Sequence, residues 1–150
     1  MLVGLIADTH GLMRDEALRA LRGSDVIIHA GDVGRRSVLE ALAAIAPVRA
    51  VYGNVDLPDA TLVASIDCEL EGVRVHVSHG HELGAPTAAK LAARYPADVI
   101  VYGHTHRAAI ERVHTRLVVN PGAAGPARFN SRPSVALLSL PWRDARIVWL

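Results

Sequence analysis

The amino-acid sequence predicts an α/β fold whose sheet begins with parallel strands. Three apolar runs, at residues 2–7, 25–29 and 48–52, alternate with two segments of helical spacing. This strand–helix order favours parallel pairing with right-handed crossovers. A later run, residues 98–102, is continuously apolar after its first residue, as expected for a strand covered on both faces. With 51% hydrophobic residues, the chain is predicted to form one domain, residues 1–150, with its own core.

Three helices are predicted. Residues 14–22 place leucines on one face and arginines on the other. Residues 35–46 form the second helix, which Pro47 ends because proline cannot continue the backbone hydrogen bonding. Residues 86–94 form the third, which ends before Pro96.

The middle and end of the chain predict antiparallel strands. A hairpin is expected between residues 61–69 and 73–78, with its turn at Glu71-Gly72. In the second arm valines alternate with polar residues such as His76, which predicts one buried face. Further strands are predicted at residues 108–113, 116–119, 134–140 and 145–150, and a loop at 123–133.

Polar side chains follow five of the predicted strands at the point where each strand ends. These side chains are Asp8 and His10, Asp32, Asn54, His79, and His104 and His106. In open α/β sheets, binding sites form beyond the carboxyl ends of the strands. A single Asp or His in such a place is usually a cap or turn residue. Five such groups at equivalent ends indicate a shared site instead.

The residue types indicate the chemistry of that site. Two carboxylates, one amide and four imidazoles suit Mn, Fe or Zn. Because Cys68 is the only cysteine, an intrachain disulfide and a thiolate metal site are both excluded. Seven side chains are too many for one ion with an open position. They fit two ions that share a bridging carboxylate.

These motifs resemble those of the calcineurin-like metallophosphoesterases. The blocks are Asp8-x-His10, Gly31-Asp32, Gly53-Asn54, His79 and Gly103-His104-x-His106. The small size and the Asn120-Pro121-Gly122 segment are similar to the small bacterial and archaeal phosphodiesterase branch. The resemblance implies a four-layer αββα sandwich, in which two mixed sheets lie face to face and helices flank them.

The resemblance also implies two divalent metal ions, Mn above all, with Fe, Zn and Ni as alternatives. One ion would be bound by Asp8, His10, Asp32 and His106. The other would be bound by Asp32, Asn54, His79 and His104. Asp32 would bridge them. The implied activity is hydrolysis of phosphodiesters by a hydroxide that the two metals activate, with His79, His104, Asp32 and Asn54 as the catalytic residues.

Two positions depart from the family pattern. Many larger members carry a histidine after the Gly-Asn pair, which is thought to protonate the leaving group, and here this position is Val55. Without that acid, activated aryl phosphodiesters should be favoured over alkyl esters. The family's Asn-Pro-Gly-Ser ends in Ala123 here, so a contact from the serine hydroxyl is absent.

Five further residues are candidates for substrate contact or for support of the ligands: Asp56, His29, His81, Asn120 and Arg128. Asp56 is expected to position Asn54 or a neighbouring loop. For three of these residues a simpler role stays open, namely a core histidine at 29, a surface loop histidine at 81 and chance placement at 128. Trp142 and Trp149 are expected to pack a sheet edge or to form a subunit contact.

Two other functions stay open beside the phosphodiesterase. One is a phosphomonoesterase or nuclease with the same metals. The other is a protein-binding scaffold, the role of the phosphoesterase-like subunit of retromer. A net charge of +1 and scattered arginines predict no nucleic-acid partner. The short apolar N-terminus lacks a basic flank, which predicts a cytoplasmic protein with no membrane partner. The expected partners are a small phosphodiester substrate and further copies of the chain, as a dimer or tetramer.

Overall fold

The computed structural model describes residues 1–128 and 130–150. The strands in this part of the chain are β1 (Leu2–Ile6), β2 (Val26–His29), β3 (Val48–Ala50), β4 (Ser65–Leu70), β5 (Val73–Ser78), β6 (Val99–Val101), β7 (Ala109–Val113), β8 (Arg116–Asn120), β9 (Ser134–Ser139) and β10 (Asp144–Trp149). The helices are α1 (Asp15–Ala20), α2 (Arg36–Ala43) and α3 (Ala88–Arg94), with a 3₁₀ turn at His81–Leu83.

The strands form two five-stranded mixed sheets. The first sheet has the order β10-β9-β1-β2-β3 and the second has the order β4-β5-β6-β8-β7. Strands β1, β2 and β3 are parallel, as are β5, β6 and β8. Strand β9 is antiparallel to both β1 and β10, so β10 runs in the same direction as β1. The carboxyl ends of β1, β2 and β10 therefore lie at one edge of the first sheet.

An apolar cluster fills the space between the sheets. Its fully buried members include Leu5 and Ile28 from the first sheet and Val99 and Val101 from the second. Continuous apolar runs belong there because these strands are covered on both faces.

The helices cover the two outer faces. Helices α1 and α2 pack on the first sheet through a separate apolar cluster that contains Ala17 and Leu42. Helix α3 packs on the second sheet through Leu91. The layers therefore follow the order helix, sheet, sheet, helix, and the predicted fold class is confirmed. None of the described helices is long and apolar enough to cross a lipid bilayer.

The predicted hairpin begins four residues too early. Val63 forms an isolated parallel bridge with Val51, and its carbonyl accepts a hydrogen bond from Tyr52 N–H at 3.0 Å. Residue 63 thus still lies against the first sheet, and the chain joins the second sheet only at Ser65. The prediction of one strand over residues 61–69 was wrong because Val63 pairs with the first sheet, whereas the residues from Ser65 onward pair with the second sheet.

The helix boundaries also differ from the prediction, and α1 spans Asp15–Ala20 instead of residues 14–22. Helix α3 begins at Ala88 because the hydroxyl of Thr87 caps it, accepting from Lys90 N–H at 3.2 Å. Helix α2 ends at Ala43, before the predicted stop at Pro47. The predicted loop 123–133 includes residue 129, which lies outside the described residues.

Strand β5 is buried on both faces, not on one. His76 is only 2% exposed and stacks on Tyr95 with ring centroids 3.6 Å apart. Its Nδ1 lies 2.8 Å from Oδ1 of Asp67, which gives the buried ring a polar partner. The alternation of valines with polar residues failed here because Tyr95, just after α3, covers the polar face.

Candidate metal centre

The loops that follow β1 and β2 run side by side beyond the last residues of their strands. Asp8 N–H donates to the carbonyl of Gly31 at 3.0 Å, and His10 N–H donates to the carbonyl of Asp32 at 2.9 Å. These bonds continue the parallel pairing of the strands. They place the side chains of two loops at one edge.

The second sheet meets the same edge. Gly103 N–H donates to the carbonyl of His79 at 3.0 Å, so the segments that follow β5 and β6 are also joined. His104 N–H then donates to Oδ2 of Asp8 at 3.1 Å. The carboxyl ends of strands from both sheets therefore converge on one place.

Glycine is required where these segments approach each other most closely. A Cβ on Gly53 would lie 2.0 Å from Oδ1 of Asp32, and a Cβ on Gly31 would lie 2.5 Å from Nδ1 of His79. Neither distance is compatible with a side chain. The two glycines thus let Asp32 and His79 occupy the centre.

Four of the predicted ligands form a compact group that we call the Asp8 cluster: Asp8, His10, Asp32 and His106. One ligand atom from each lies within 4.8 Å of the others, an arrangement that could hold a metal ion. Nε2 of His106 is 3.4 Å from Oδ1 of Asp8, and Nε2 of His10 is 3.6 Å from Oδ2 of Asp32.

The three remaining predicted ligands lie beside this cluster. Nε2 of His79 is 3.2 Å from Oδ2 of Asp32. Nδ1 of His104 is 3.2 Å from Oδ1 of Asn54, and the rings of His79 and His104 have centroids 5.2 Å apart. All seven side chains are therefore brought together, and the same oxygen of Asp32 faces His10 on one side and His79 on the other.

Two buried atoms at the centre fit a cation. Oδ1 of Asp8 is fully buried and accepts no hydrogen bond from the described residues. It lies 3.4 to 3.9 Å from imidazole nitrogens of His106, His79 and His10. Nε2 of His79 is similarly without a hydrogen bond in the described chain, while its Nδ1 lies 2.7 Å from the Ala30 carbonyl. Because a buried carboxylate oxygen without a hydrogen bond is costly, the donor set matches a bound divalent metal.

Comparison with known proteins agrees with this geometry. The model of the calcineurin-like phosphoesterase superfamily domain matches residues 1–141. The chain belongs to this superfamily. It is 32% identical over 166 residues to a probable metallophosphoesterase of Methanothermobacter thermautotrophicus, covering 99% of this chain and 92% of the relative. It is 30% identical over 168 residues to a phosphodiesterase of Methanocaldococcus jannaschii, covering 100% of this chain and 99% of the relative.

Solved structures show the same fold. A structure described as a novel archaeal phosphodiesterase has a TM-score of 0.83 and 24% sequence identity, covering both chains completely. A Vps29 variant from Entamoeba histolytica has a TM-score of 0.82 and 22% identity, covering 100% of this chain and 99% of that one. Curated relatives named for phosphoester hydrolysis and a cluster that could hold a metal together support a metallophosphoesterase assignment.

Three groups of this candidate centre have the protonation state that metal binding requires at neutral pH. Burial raises the pKa of the Asp32 carboxyl, but His79, His10 and the Val55 N–H outweigh it and hold the pKa at about 2. Burial lowers the pKa of His10 and, together with His79, the pKa of His104. The carboxylate is therefore ionised, and these two imidazoles keep a free lone pair.

Asp56 supports the loops of the candidate metal centre. Its Oδ2 accepts from Val33 N–H at 3.0 Å and from Gly53 N–H at 2.9 Å. Its Oδ1 accepts from Gly34 N–H at 3.0 Å. Asp56 thus ties the loop after β2 to the loop after β3, the segments that carry Asp32 and Asn54.

His29 lies behind the centre in a buried hydrogen-bonded chain. Gly31 N–H donates to its Nδ1 at 3.2 Å, so the ring proton is on Nε2. Nε2–H then donates to the hydroxyl of Thr9 at 2.9 Å, which in turn donates to the Val33 carbonyl at 2.9 Å. Burial lowers the pKa of His29 to about 4, consistent with this neutral ring. Sequence reasoning missed Thr9, whose one signal is its place between Asp8 and His10.

Asn120 supports the loop that carries two predicted ligands. Its Nδ2 donates to the Gly103 carbonyl and to the hydroxyl of Thr105, each at 3.0 Å. Its Oδ1 accepts from Gly122 N–H at 2.9 Å. The amide therefore fixes the backbone around His104 and His106 without approaching the cluster itself.

His81 and Arg128 lie near the centre. The centroid of the His81 ring lies 5.4 Å from that of the His79 ring and 6.3 Å from that of the His104 ring. Arg128 is exposed, and its charge is one cause, after burial, of the lowered pKa of His10. Val55, at the position without a family histidine, is 55% exposed.

The backbone of the site is unusual. Five predicted ligands have positive φ angles between 45° and 71°: Asp8, His10, Asp32, His104 and His106. Residues other than glycine rarely adopt this left-handed backbone conformation, although Asp and His do so more often than most residues. Here it turns each side chain back toward the common centre.

Proposed function

We propose that this metallophosphoesterase is a metal-dependent phosphodiesterase that acts on small phosphodiesters. The observation that carries the proposal is the convergence of seven side chains with oxygen and nitrogen donors, with Asp32 at the centre, next to a buried oxygen of Asp8 that accepts no hydrogen bond from the described residues. The curated phosphodiesterase of Methanocaldococcus jannaschii, similar along its whole length, supports it.

The proposed centre holds two divalent ions. The Asp8 cluster would hold one, while Asp32, Asn54, His79 and His104 would hold the other, with Asp32 shared. When bound, such ions supply a water of lowered pKa and positive charge for the phosphate oxygens. Manganese is the proposed metal. Fe, Zn and Ni are alternatives because oxygen and imidazole donors suit all four metals.

The chain's own residues explain a preference for activated diesters. His79 is held by the Ala30 carbonyl, and the loop of His104 is held by Asn120, so both imidazoles are preorganised at the candidate centre. Val55 offers no proton to a leaving oxygen. Aryl leaving groups, which need little protonation, should therefore depart faster than alkyl ones.

A non-catalytic protein-binding scaffold is the second candidate. The described surface beside the centre exposes two apolar side chains, Val55 at 55% and Leu57 at 86%, and exposed apolar groups suit a protein contact. A scaffold would not need a complete set of buried ligands, so we place the enzyme first.

Hydrolysis of bis(p-nitrophenyl) phosphate by metal-stripped protein, with and without Mn²⁺, tests the proposal. We expect turnover only with metal, and a much lower rate with p-nitrophenyl phosphate, a monoester. Asp32→Ala should abolish turnover, while the exposed Asp144→Ala should retain it. Absence of turnover with every first-row divalent metal would favour the scaffold, and a faster monoester reaction would favour a phosphomonoesterase.

A further inference from the structure

A concave pocket borders the proposed metal centre on the His106 side. It has a volume of about 410 Å³ and is lined by His106, Arg107, Ala108, Ser131, Arg132 and Trp149. This volume lies within the usual range for small-molecule sites. His106 belongs both to the Asp8 cluster and to this wall, so the pocket lies next to the candidate centre. We call it the Trp149 pocket.

The sheet topology places Trp149 at the same end of the first sheet as the centre, because β10 runs in the same direction as β1. Strand β10 pairs Trp149 with Ser134, whose N–H donates to the Ala123 carbonyl at 3.2 Å, and Ala124 N–H donates to the Ala7 carbonyl at 3.0 Å. The segment of Ala123 and Ala124 therefore links Ser134 to the residue that precedes Asp8. Alternation along β10 puts Trp149 on the same face as Ile147, which packs against the core between the sheets.

The lining of the Trp149 pocket combines an aromatic surface with positive charge. Trp149 is 50% exposed, so much of its ring system is open to a ligand. Arg107 and Arg132 are both exposed, and Nε of Arg132 donates to the Leu150 carbonyl at 3.0 Å, which holds its guanidinium in place. None of the six described lining residues is acidic. A flat aromatic group next to an anionic phosphate matches this wall, through stacking and cation–π contact.

We propose that the Trp149 pocket binds a flat aromatic arm of the substrate, so that the enzyme selects phosphodiesters that carry a nucleobase. The proposal rests on the proposed phosphodiesterase function, because the phosphate has to sit at the metal centre. It assigns Trp149 a role other than the sheet-edge or subunit contact expected from sequence. Trp142 is 76% exposed but lies in the turn at the opposite end of β10, away from the pocket, which makes it a matched control.

Tryptophan fluorescence tests binding without any need for turnover. The chain has two tryptophans, so in a Trp142→Phe variant all tryptophan emission comes from Trp149. Thymidine 5′-monophosphate should quench this emission saturably in Zn²⁺-loaded protein, whereas ribose 5-phosphate, which lacks a base, should not. Equal effects of the two ligands, or none, would overturn the proposal. Emission that changes with protein concentration alone would show that a second copy covers Trp149 and would also overturn it.

Kinetics test selection with a constant leaving group. The p-nitrophenyl esters of thymidine 5′-phosphate and of methyl phosphate both release p-nitrophenol. Trp149→Ala should lower kcat/KM for the thymidine ester relative to the methyl ester by roughly 5- to 100-fold, mainly through KM. Trp149→Phe should restore most of that ratio, and Trp142→Ala should not change it. An unchanged ratio in Trp149→Ala would refute the pocket's role. If neither ester is hydrolysed but thymidine 5′-monophosphate still quenches the Trp149 emission, the proposed phosphodiesterase function is wrong, whereas binding of the aromatic group in the Trp149 pocket is supported.

Discussion

His104 N–H donates a hydrogen bond to Oδ2 of Asp8 at 3.1 Å, although the two residues are 96 positions apart and belong to different sheets. The other oxygen of the same carboxylate, Oδ1, faces the imidazoles of the Asp8 cluster, those of His106 and His10. One carboxylate therefore both joins the two sheets and faces the candidate metal position. Metal binding and sheet docking should consequently be coupled.

Metal should raise the thermal stability of the protein through Asp8. At 100 times the dissociation constant, a ligand that binds only the folded state stabilises it by about 2.7 kcal/mol. For a chain of this length that is an increase in Tm of roughly 5–10 °C. Asp8→Asn should lose this increase because it removes the charge that faces the cluster, while exposed Asp144→Asn should keep it. Differential scanning fluorimetry with Mn²⁺ and with a chelator measures the shift, and an undiminished shift in Asp8→Asn would contradict this role.

Gly53→Ala should disable the centre although it removes no ligand. Its methyl group would lie 2.0 Å from Oδ1 and 2.4 Å from the backbone nitrogen of Asp32, so Asp32 has to move. We expect loss of Mn²⁺ affinity by isothermal titration calorimetry. Gly23→Ala is the control, because it meets no atom within 4 Å yet strains a backbone with φ of +85°. It should lower stability by roughly 1 kcal/mol and leave Mn²⁺ affinity intact. Equal Mn²⁺ affinity of the Gly53→Ala and Gly23→Ala variants would show that the close approach of Gly53 to Asp32 is not needed for metal binding.

Asn120→Asp should weaken the loop that carries His104 and His106. The substitution keeps the oxygen that accepts from Gly122 but replaces the amide donor to Gly103 and Thr105 with a second acceptor. Leaving the buried Gly103 carbonyl without its donor costs about 1–3 kcal/mol, whereas the Thr105 hydroxyl can itself donate to the carboxylate. Urea denaturation should show that loss, and metal titration should show weaker binding. Thr105→Val, which removes one of the two acceptors, should have a smaller effect on both, and a larger effect there would contradict the assignment.

The stability of the metal-free protein should fall with acidity because of His29. Its pKa is about 4 in the folded protein, below the ordinary 6.5, since burial disfavours the charged ring. Above pH 6.5 the His29 ring is neutral in both the folded and the unfolded state, so it does not lower the free energy of unfolding. As the pH falls from 6.5 toward 4, the unfolded chain binds a proton that the folded protein does not bind, and the free energy of unfolding falls by about 3 kcal/mol in total. His29→Gln should be less stable at pH 7 but should show a flatter pH profile in urea denaturation. The exposed His114→Gln should follow the parent profile, and a parent-like slope in His29→Gln would refute this origin.

Val55→His should broaden the range of leaving groups. Val55 is half exposed, and its contact with Asp32 uses the backbone N–H, so the side chain can be exchanged without disturbing that bond. A histidine there could protonate the leaving oxygen, a role worth about 100-fold or more for poor leaving groups. The slope of log kcat/KM against leaving-group pKa, across substituted aryl methyl phosphates, should become shallower. Val55→Gln, which cannot transfer a proton in this way, should keep the parent slope; a shallower slope in this control would rule out proton transfer as the cause.

The centre was predictable because strand ends carry most of it. Apolar runs end at or just before Asp8, Asp32 and His79. Parallel pairing brings the carboxyl ends of these strands to one edge of the fold. The sequence could not reveal supports that depend on backbone atoms, such as the Ala30 carbonyl that lies 2.7 Å from His79. Carbonyl groups are the same in every residue, and only the folded arrangement selects one.

Long-range packing limited the rest of the prediction. The burial of His76 depends on Tyr95, which stacks on it from a segment after α3. The bridge of Val63 to Val51 depends on where the chain leaves one sheet for the other. The place of Trp149 at the same end of the first sheet as Asp8 follows from two successive antiparallel pairings, and strand order across a sheet is not visible in local periodicity.

The left-handed backbone at five ligand positions has an evolutionary consequence. Each such residue costs roughly 1 kcal/mol or more relative to a relaxed or glycine-containing turn. Replacing His106 with glycine, for example, should relieve strain in the metal-free protein even as it removes a ligand. Selection for folding stability alone would therefore favour replacement of these residues first. The left-handed conformation at all five positions is a stability cost that folding does not require and that ligand binding would explain.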